Sequence, residues 1–199
     1  CYSFNASSSY PFIIDCGSNI GLSIIYFKRQ YPNARIIGFE PDPMIFRVLN
    51  NNIANFKLQN VELHNKAIWL SDGLMEFRQE GGFSGRKPLT IESSNTIVAS
   101  TRLSPFINEK VDLLKIDIEG AEIDVLFEVE NRLDRVERLF IEYHSPSNEV
   151  QRLDELLNLL KKNNFRYYIK EAFVSRNPFL RVESLDGMDL QLNIYGIRI

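Results

Sequence analysis

The fold is decided by the stretch FIIDCGSNIG, residues 12–21, which joins an apolar run to a turn with two glycines. The run Phe12–Ile14 predicts a buried strand, and the helical pattern that starts at Gly21 ends at Gln30. Gly17 allows the backbone to turn tightly and to approach a ligand, whereas Gly21 allows the helix to pack closely. This order of strand, glycine turn and helix predicts an α/β domain whose first turn holds a ligand.

The rest of the chain alternates short apolar runs with helical patterns, which is typical of parallel strands joined by crossover helices. Further strands are predicted at residues 34–39, 61–64, 111–116, 139–143, 165–169 and 191–199. Further helices are predicted after the capping residue Asp42, at residues 123–130, and from Val150 to Leu160. Residues 67–70 and 75–77 are predicted to pair as a hairpin, with residues 80–88 as a loop and 170–189 as an irregular segment.

Length and composition limit the classes of protein to which the chain can belong. Its 199 residues are 44% hydrophobic and 25% charged, which predicts one globular domain over residues 1–199. A net charge of −3 gives no electrostatic reason to expect a nucleic-acid partner, and no run approaches the ~20 apolar residues that span a bilayer. The two cysteines, Cys1 and Cys16, lack the spacing of a zinc site or a disulfide framework. We therefore expect a soluble protein of a reducing, cytoplasmic compartment, and the oligomeric state stays open.

The glycine turn favours a nucleoside-containing cofactor that carries an amino-acid part. Asn19 stands where a dinucleotide-binding turn has its middle glycine. The Asp15 carboxylate at the end of the strand would repel a phosphate and attract an ammonium group. The alternative is a purely structural glycine turn of an α/β domain.

Glu40 follows the second predicted strand, 25 residues after Asp15. An acidic side chain at this position can accept hydrogen bonds from both hydroxyls of a ribose. In the alternative interpretation, Glu40 belongs to the helix cap formed by Pro41-Asp42-Pro43, which explains Asp42 better than it explains Glu40.

Acidic residues follow the predicted strand 111–116, where open α/β sheets place their ligand crevice. Asp117 and Glu119 alternate with apolar neighbours and are expected to project toward that crevice. Glu122 is interpreted as a first-turn helix residue that the helix dipole favours.

A second set of polar residues, Glu142 and His144, ends the next predicted strand. If the two strands are neighbours, Asp117, Glu142 and His144 form an acid and base cluster. His144 could act as a general base oriented by Glu142, or the three side chains could ligate a divalent metal. The alternative is that His144 caps the strand end through backbone hydrogen bonds.

Three motifs together resemble the FkbM family of S-adenosylmethionine-dependent methyltransferases. They are residues 15–21, Phe39-Glu40-Pro41-Asp42-Pro43 and Leu114-Lys115-Ile116-Asp117-Ile118-Glu119-Gly120-Ala121-Glu122. The match covers residues 12–145. The resemblance implies a Rossmann-like class I methyltransferase fold, with a seven-stranded, mostly parallel sheet, an antiparallel last strand and helices on both faces. It also implies methyl transfer from S-adenosylmethionine to a hydroxyl oxygen, often on a sugar or a polyketide-type product.

The resemblance also assigns site residues by motif. The methionine part of the cofactor would be surrounded by Asp15, Gly17, Asn19 and Gly21, the ribose would lie at Glu40, and the adenine would lie near Asn65 and Ala67. Ser18 and Pro41, which lie in the same motifs, are counted with this cofactor site, and Asp117 would lie at the methyl-transfer crevice. Family members often have Leu-Asp where this chain has Leu103-Ser104, so a contact from that carboxylate is not expected here.

Two other functions are compatible with the same residues. One is a nucleotide-cofactor oxidoreductase, and the other is a noncatalytic domain that keeps the fold. The incomplete G-x-G-x-x-G pattern disfavours the oxidoreductase. For a methyltransferase, residues 80–88 and 170–189 are expected to form the walls around a small-molecule or saccharide acceptor. They carry the aromatic and basic side chains Phe83, Arg86, Phe173, Arg176 and Phe179.

Overall fold

A computed structural model of the chain describes residues 2–78 and 95–199. The strands in these residues are β1 (Phe12–Cys16), β2 (Arg35–Phe39), β3 (Val61–His64), β4 (Ala67–Ile68), β5 (Gly73–Arg78), β6 (Asn95–Thr101), β7 (Leu113–Ile116), β8 (Arg138–Pro146), β9 (Phe165–Val174) and β10 (Met188–Arg198). The α-helices are α1 (Leu22–Gln30), α2 (Pro43–Asn55), α3 (Glu122–Glu128) and α4 (Leu153–Lys162). The predicted loop at residues 80–88 lies outside the described residues.

Seven of the described strands form the main sheet in the order β3-β2-β1-β7-β8-β10-β9. The pairs β1·β2, β2·β3, β1·β7 and β7·β8 are parallel, whereas β10 is antiparallel to both of its neighbours. This confirms the predicted seven-stranded, mostly parallel sheet with an antiparallel last strand. The carboxyl ends of β1, β2, β7 and β8 therefore meet along one edge of the sheet.

Both faces of the sheet are covered, which is why β1 begins with the continuous apolar run Phe12–Ile14 rather than with alternating apolar and polar residues. Ile14 and Cys16 pack into a core with α3 and α4, whereas Ile13 packs with α1 and α2 on the opposite face. All five residues of β1 are buried. Each buried aliphatic side chain of this kind stabilises the fold by about 1.5–3 kcal/mol.

The start of α2 follows the predicted capping chemistry. The Asp42 carboxylate accepts hydrogen bonds from the backbone N–H groups of Met44 and Ile45, at 2.7 and 3.1 Å. Pro43 occupies the first turn, and Leu49 and Ile53 are buried. The cap fixes where α2 leaves the turn that contains Glu40.

The predicted hairpin of residues 67–70 and 75–77 is wrong. Its two segments lie in a second sheet of order β4-β6-β5, in which β4 is parallel and β5 antiparallel to β6. Residues 95–101, which the sequence analysis did not assign, therefore separate the two segments. Hydrogen bonds from Ser100 to the Ser71 carbonyl and from Thr101 to Asp72 hold the turn against β6.

Two other boundaries differ from the prediction. β9 continues to Val174, so the irregular connection is shorter than residues 170–189. Helix α4 begins only at Leu153, and Val150 lies before it with 87% of its surface exposed. Within the described ranges, none of the helices is long and apolar enough to cross a membrane.

Candidate active site

The turn after β1 is shaped by close contact with the end of β7. Gly17 has a φ of +82°, and a Cβ there would lie 1.8 Å from the carbonyl oxygen of Asp117. Its N–H and that of Ser18 donate to the Phe39 carbonyl, and the Ser18 hydroxyl donates to the Asp15 carbonyl. Gly21, at φ +90°, leaves no room for a Cβ beside the Leu49 side chain. The turn is thus held between the ends of β2 and β7.

Glu40 links the turn after β1 to the start of α2. Its carboxylate accepts hydrogen bonds from the backbone N–H groups of Asn19 and Asp42, both at 2.9 Å. Only 6% of Glu40 is exposed, and burial raises its pKa to about 7 despite these two hydrogen bonds. Asn65 joins the same turn by donating to the carbonyls of Glu40 and Pro41. Both interpretations of Glu40, structural and ligand-binding, are compatible with this geometry.

Ala67, placed by the resemblance near the adenine, lies in β4 opposite Ser100 and is 7% exposed. It follows Asn65 closely, so both residues lie on the side of the crevice where β3 ends. Asn65, Ala67 and the turn after β2 therefore border the same part of the crevice.

Asp15 and Lys115 form a buried ion pair in the site, and their side chains are 0% and 2% exposed. The Lys115 Nζ lies 3.2 Å from Asp15 Oδ1 and 3.1 Å from Asp117 Oδ2, and it donates to the Gly17 carbonyl at 3.0 Å. Burial alone lowers the pKa of Lys115, but the charges of Asp15 and Asp117 outweigh it and raise the pKa. Lys115 is therefore a permanent cation that ties the ends of β1 and β7 to the turn.

The loop from β7 to α3 is organised around a buried carboxylate. Glu122 begins α3, as interpreted from the sequence, and its side chain is 1% exposed. It accepts hydrogen bonds from the N–H groups of Ile118 and Gly120, and it lies 2.9 Å from His144 Nδ1. The principal partner of His144 is therefore Glu122, whereas Glu142, the partner expected from the sequence, lies 4.0 Å from Nε2.

His144 lies among carboxylates at the end of β8. Burial alone lowers the pKa of His144, but the hydrogen bond to Glu122 and the charges of Glu122, Glu119 and Asp117 raise it to about 9. The imidazole is thus protonated at neutral pH and cannot accept a proton there. Burial, reinforced by the Asp117 charge, raises the pKa of Glu142, so this carboxylate accepts a proton more readily than an exposed one.

The structure brings the three predicted acid and base residues to one place and adds Glu119 to them. Ligand atoms of Asp117, Glu119 and His144 all lie within 4.8 Å of one another. The His144 Nε2 lies 3.5 Å from Glu119 Oε2, which is closer than its distance to Glu142. The side chains of Asp117 and Glu119 are 24% and 58% exposed, so the cluster opens to the crevice.

The connection between β9 and β10 lies at the same edge of the sheet. Met188, the first residue of β10, has its methyl group 4.0 Å from where a Gly120 Cβ would stand. Phe173 and Arg176 line a hollow of about 550 Å³ with Glu171 and Glu183, and Phe179 is fully exposed. The predicted wall residues Phe83 and Arg86 lie outside the described residues.

Sequence reasoning missed Lys115 and the role of Glu122. A lysine inside an otherwise apolar strand, at Leu113-Leu114-Lys115-Ile116, is a signal that could have identified the first, because a buried ammonium requires carboxylate partners. Tyr2 was also missed: its ring meets that of Phe140 edge-on at 4.7 Å, and its hydroxyl group lies within range of the Lys115 and Asp117 charges. Ser104, which replaces the expected aspartate, hydrogen-bonds to Glu128 instead.

Comparison with known proteins supports the interpretation of the three motifs. The chain is 31% identical to the methyltransferase sdnD of Sordaria araneosa, over 79% of this chain and 75% of that protein. It is 26% identical to the 2-O-methyltransferase NoeI of Sinorhizobium fredii, over 67% of this chain and 63% of that protein. The chain thus spans three quarters of one relative and less than two thirds of the other.

Solved structures share the fold. The methyltransferase FkbM of Methylobacillus flagellatus superposes with a TM-score of 0.65 at 16% identity, over 96% of this chain and 44% of that one. TYW2 of M. jannaschii, in complex with AdoMet, superposes with a TM-score of 0.53 at 14% identity, over 97% of this chain and 71% of that one. The sequence model of the methyltransferase FkbM domain matches residues 15–167, from the end of β1 into β9. Since that match takes in most of the chain, the chain belongs to the FkbM family of methyltransferases.

Proposed function

We propose that this methyltransferase transfers the methyl group of S-adenosylmethionine to a hydroxyl oxygen of a small molecule or saccharide. The observation that carries the proposal is the junction at Asp117, where the motif residues of the cofactor side meet a cluster of carboxylates and an imidazole. Family membership favours methyl transfer over the oxidoreductase alternative. The 2-O-methyltransferase named among the relatives supports oxygen as the acceptor atom.

The cofactor side suits a cationic ligand. Asp15 and Asp117 carry two negative charges against the one positive charge of Lys115, so this group has a net charge of −1. Asp15 is fully buried and acts through Lys115, whereas the partly exposed Asp117 carboxylate faces the crevice. We assign the methionine part to the turn of residues 17–21 and the ribose hydroxyls to Glu40. The adenine would then lie by Asn65 and Ala67.

The transfer itself needs positioning and a proton acceptor. An acceptor oxygen forms a bond to the methyl carbon as the sulfur–methyl bond breaks, and the bonding electrons stay on sulfur, which leaves a neutral thioether. The hydroxyl proton passes to Glu142, whose raised pKa suits it for the task. Because the sulfonium is already an activated donor, alignment of the oxygen with the methyl carbon supplies much of the rate.

The acceptor would be held by the connection between β9 and β10. Phe173, Arg176 and Phe179 offer apolar faces and cationic edges of the kind that suit a ring with polar substituents. The hollow at Phe173 and Arg176 supports this assignment.

Calorimetric titration of the purified chain with S-adenosylmethionine and with its demethylated product tests the cofactor. We expect saturable binding of both, and binding of neither would refute the proposal. A panel of hydroxylated acceptors with radiolabelled cofactor then tests the reaction. Binding without transfer to any acceptor, including extracts of the source organism, would favour the noncatalytic alternative.

A further inference from the structure

We infer that Asp117, Glu119 and His144 form a binding site for one divalent metal ion of the Mn²⁺ type. The site lies at the ends of β7 and β8, beside the proposed cofactor crevice. It offers two carboxylate oxygens and one imidazole nitrogen, a donor set that suits a cation of intermediate hardness. The existence of the site is independent of the proposed function, whereas the role that we give the ion rests on it.

The spacing of the donor atoms fits one ion. The three ligand atoms lie within 4.8 Å of one another. Three ligands that share one cation at about 2.1 Å lie roughly 3.0–3.6 Å apart. The 3.5 Å between Glu119 Oε2 and His144 Nε2 already meets this spacing, and a pair near the 4.8 Å limit needs to close by about an ångström. The exposed Glu119 side chain can make that movement.

Glu122 orients His144 for this role. Its buried carboxylate lies 2.9 Å from Nδ1 and so holds a ring proton on that nitrogen, whereas Nε2 faces Glu119. A metal ion that displaces the proton on Nε2 would therefore bind at that nitrogen. A carboxylate behind a histidine is the usual outer partner of a metal-bound imidazole. Because Glu122 also accepts the N–H groups of Ile118 and Gly120, it fixes the loop that carries the two acidic donors.

Charge and backbone conformation support the same conclusion. Glu119, Glu122 and Glu142 all lie within 4.0 Å of one imidazole ring, whose single charge cannot balance three carboxylates. Glu119 also has a φ of +60°, a left-handed conformation that favours glycine or asparagine. The chain thus places a carboxylate where a glycine would be less strained, and the side chain points toward this cluster.

In the proposed reaction, the ion would take the acceptor hydroxyl oxygen as a further ligand. Coordination makes a hydroxyl group more acidic and fixes its oxygen in place. The hydroxyl proton would pass to Glu142, and the oxygen–methyl bond would form as the sulfur–methyl bond of the cofactor breaks with its electrons kept by sulfur. The product ether would then leave the ion.

Manganese binding tests the inference without any turnover. The chain, stripped with EDTA and dialysed, is titrated with Mn²⁺ while the electron paramagnetic resonance signal of the free ion is followed. We expect one Mn²⁺ per chain. Glu119→Gln should raise the dissociation constant at least about 10-fold, and Glu122→Gln should raise it by about 10–100-fold through loss of the oriented imidazole. The control Glu76→Gln, which removes an equal charge from the exposed side of β5, should change it less than about twofold.

The outcomes separate the two proposals. Absence of stoichiometric binding at millimolar Mn²⁺, or equal affinity in the wild type and Glu119→Gln, would overturn the metal site. Glu119→Gln changes an exposed side chain, so the variant should fold as the wild type does. Its circular dichroism spectrum should therefore match that of the wild type. Titration of the same EDTA-stripped chain with S-adenosylmethionine is read separately. A chain that binds the cofactor but does not bind Mn²⁺ would overturn only the metal site, and a chain that binds Mn²⁺ but does not bind the cofactor would overturn only the proposed function.

Discussion

Replacement of Lys115 by methionine tests whether a buried cation holds the site together. Methionine keeps the length and apolar stem of the side chain but removes the charge, so Asp15 and Asp117 lose the ammonium that lies 3.2 and 3.1 Å away. Asp15 is fully buried and cannot turn to water, whereas Asp117 is partly exposed. The Gly17 carbonyl also loses its donor. The turn after β1 and the end of β7 should therefore separate.

The expected loss of unfolding free energy follows from this burial. Removal of one member of a buried ion pair costs about 3–5 kcal/mol, because the remaining charge is left unpaired. Since about 1 kcal/mol lowers the melting temperature of a chain of this size by ~2–4 °C, Lys115→Met should melt about 6–20 °C below the wild type.

Chemical unfolding of Lys115→Met and Lys110→Met measures this loss. Lys110 lies 3.2 Å from Glu137, the same distance that separates Lys115 from Asp15, but that pair is exposed on the surface. The control should lose less than about 1 kcal/mol. A loss in Lys115→Met that is no larger than in the control would refute the assigned role of Lys115.

Two further predictions concern the cofactor side. The pKa of Glu40 is raised to about 7, and the ionised carboxylate accepts stronger hydrogen bonds than the protonated one. The affinity for S-adenosylmethionine should therefore fall about 10-fold as the pH falls from 8 to 6. Calorimetry should show that Glu40→Gln binds the cofactor more weakly and without this pH dependence. Gly17→Ala should lose cofactor binding and more than about 2 kcal/mol of stability, since its Cβ would lie 1.8 Å from the Asp117 carbonyl oxygen. Gly187→Ala is the control, because Gly187 has nearly the same φ, +84°, and a Cβ added there would have no atom within 4 Å. Thermal melts of this control should show a loss of only about 1 kcal/mol.

The sequence was sufficient for the main sheet because its strands are buried on both faces. Segments such as Phe12–Ile14 are continuous apolar runs followed by glycine or proline, and this signal does not depend on partners far along the chain. The second sheet escaped prediction because β4 has only two residues and pairs with a strand about thirty residues later. Local turn signals around Gly73 favoured a hairpin, whereas long-range pairing decided the outcome.

The candidate site divides in the same way. Asp117, Glu142 and His144 could be placed together because parallel strand ends share one edge of a sheet. Which carboxylate meets which nitrogen of His144 could not be predicted, since it depends on how the loop after β7 folds back through the left-handed residues Glu119 and Gly120. The burial of Lys115 was missed although this residue lies inside an apolar strand, and the role of Glu122 was missed because an acidic residue in the first turn of a helix is usually exposed and only the tertiary packing buries this one.

Asp117 gives the site its rigidity, because it belongs to both halves. Its carboxylate is fixed by Lys115 on the proposed cofactor side and is grouped with Glu119 and His144 on the proposed acceptor side, while its carbonyl oxygen fills the space that Gly17 leaves open. A methyl donor and an acceptor hydroxyl that both contact this side chain would be aligned by one fixed strand end. Alignment of this kind is where a methyl transfer gains most of its rate, since the sulfonium donor is already reactive. The acceptor can then be selected by the connection between β9 and β10 without any change to the strand ends that carry the chemistry.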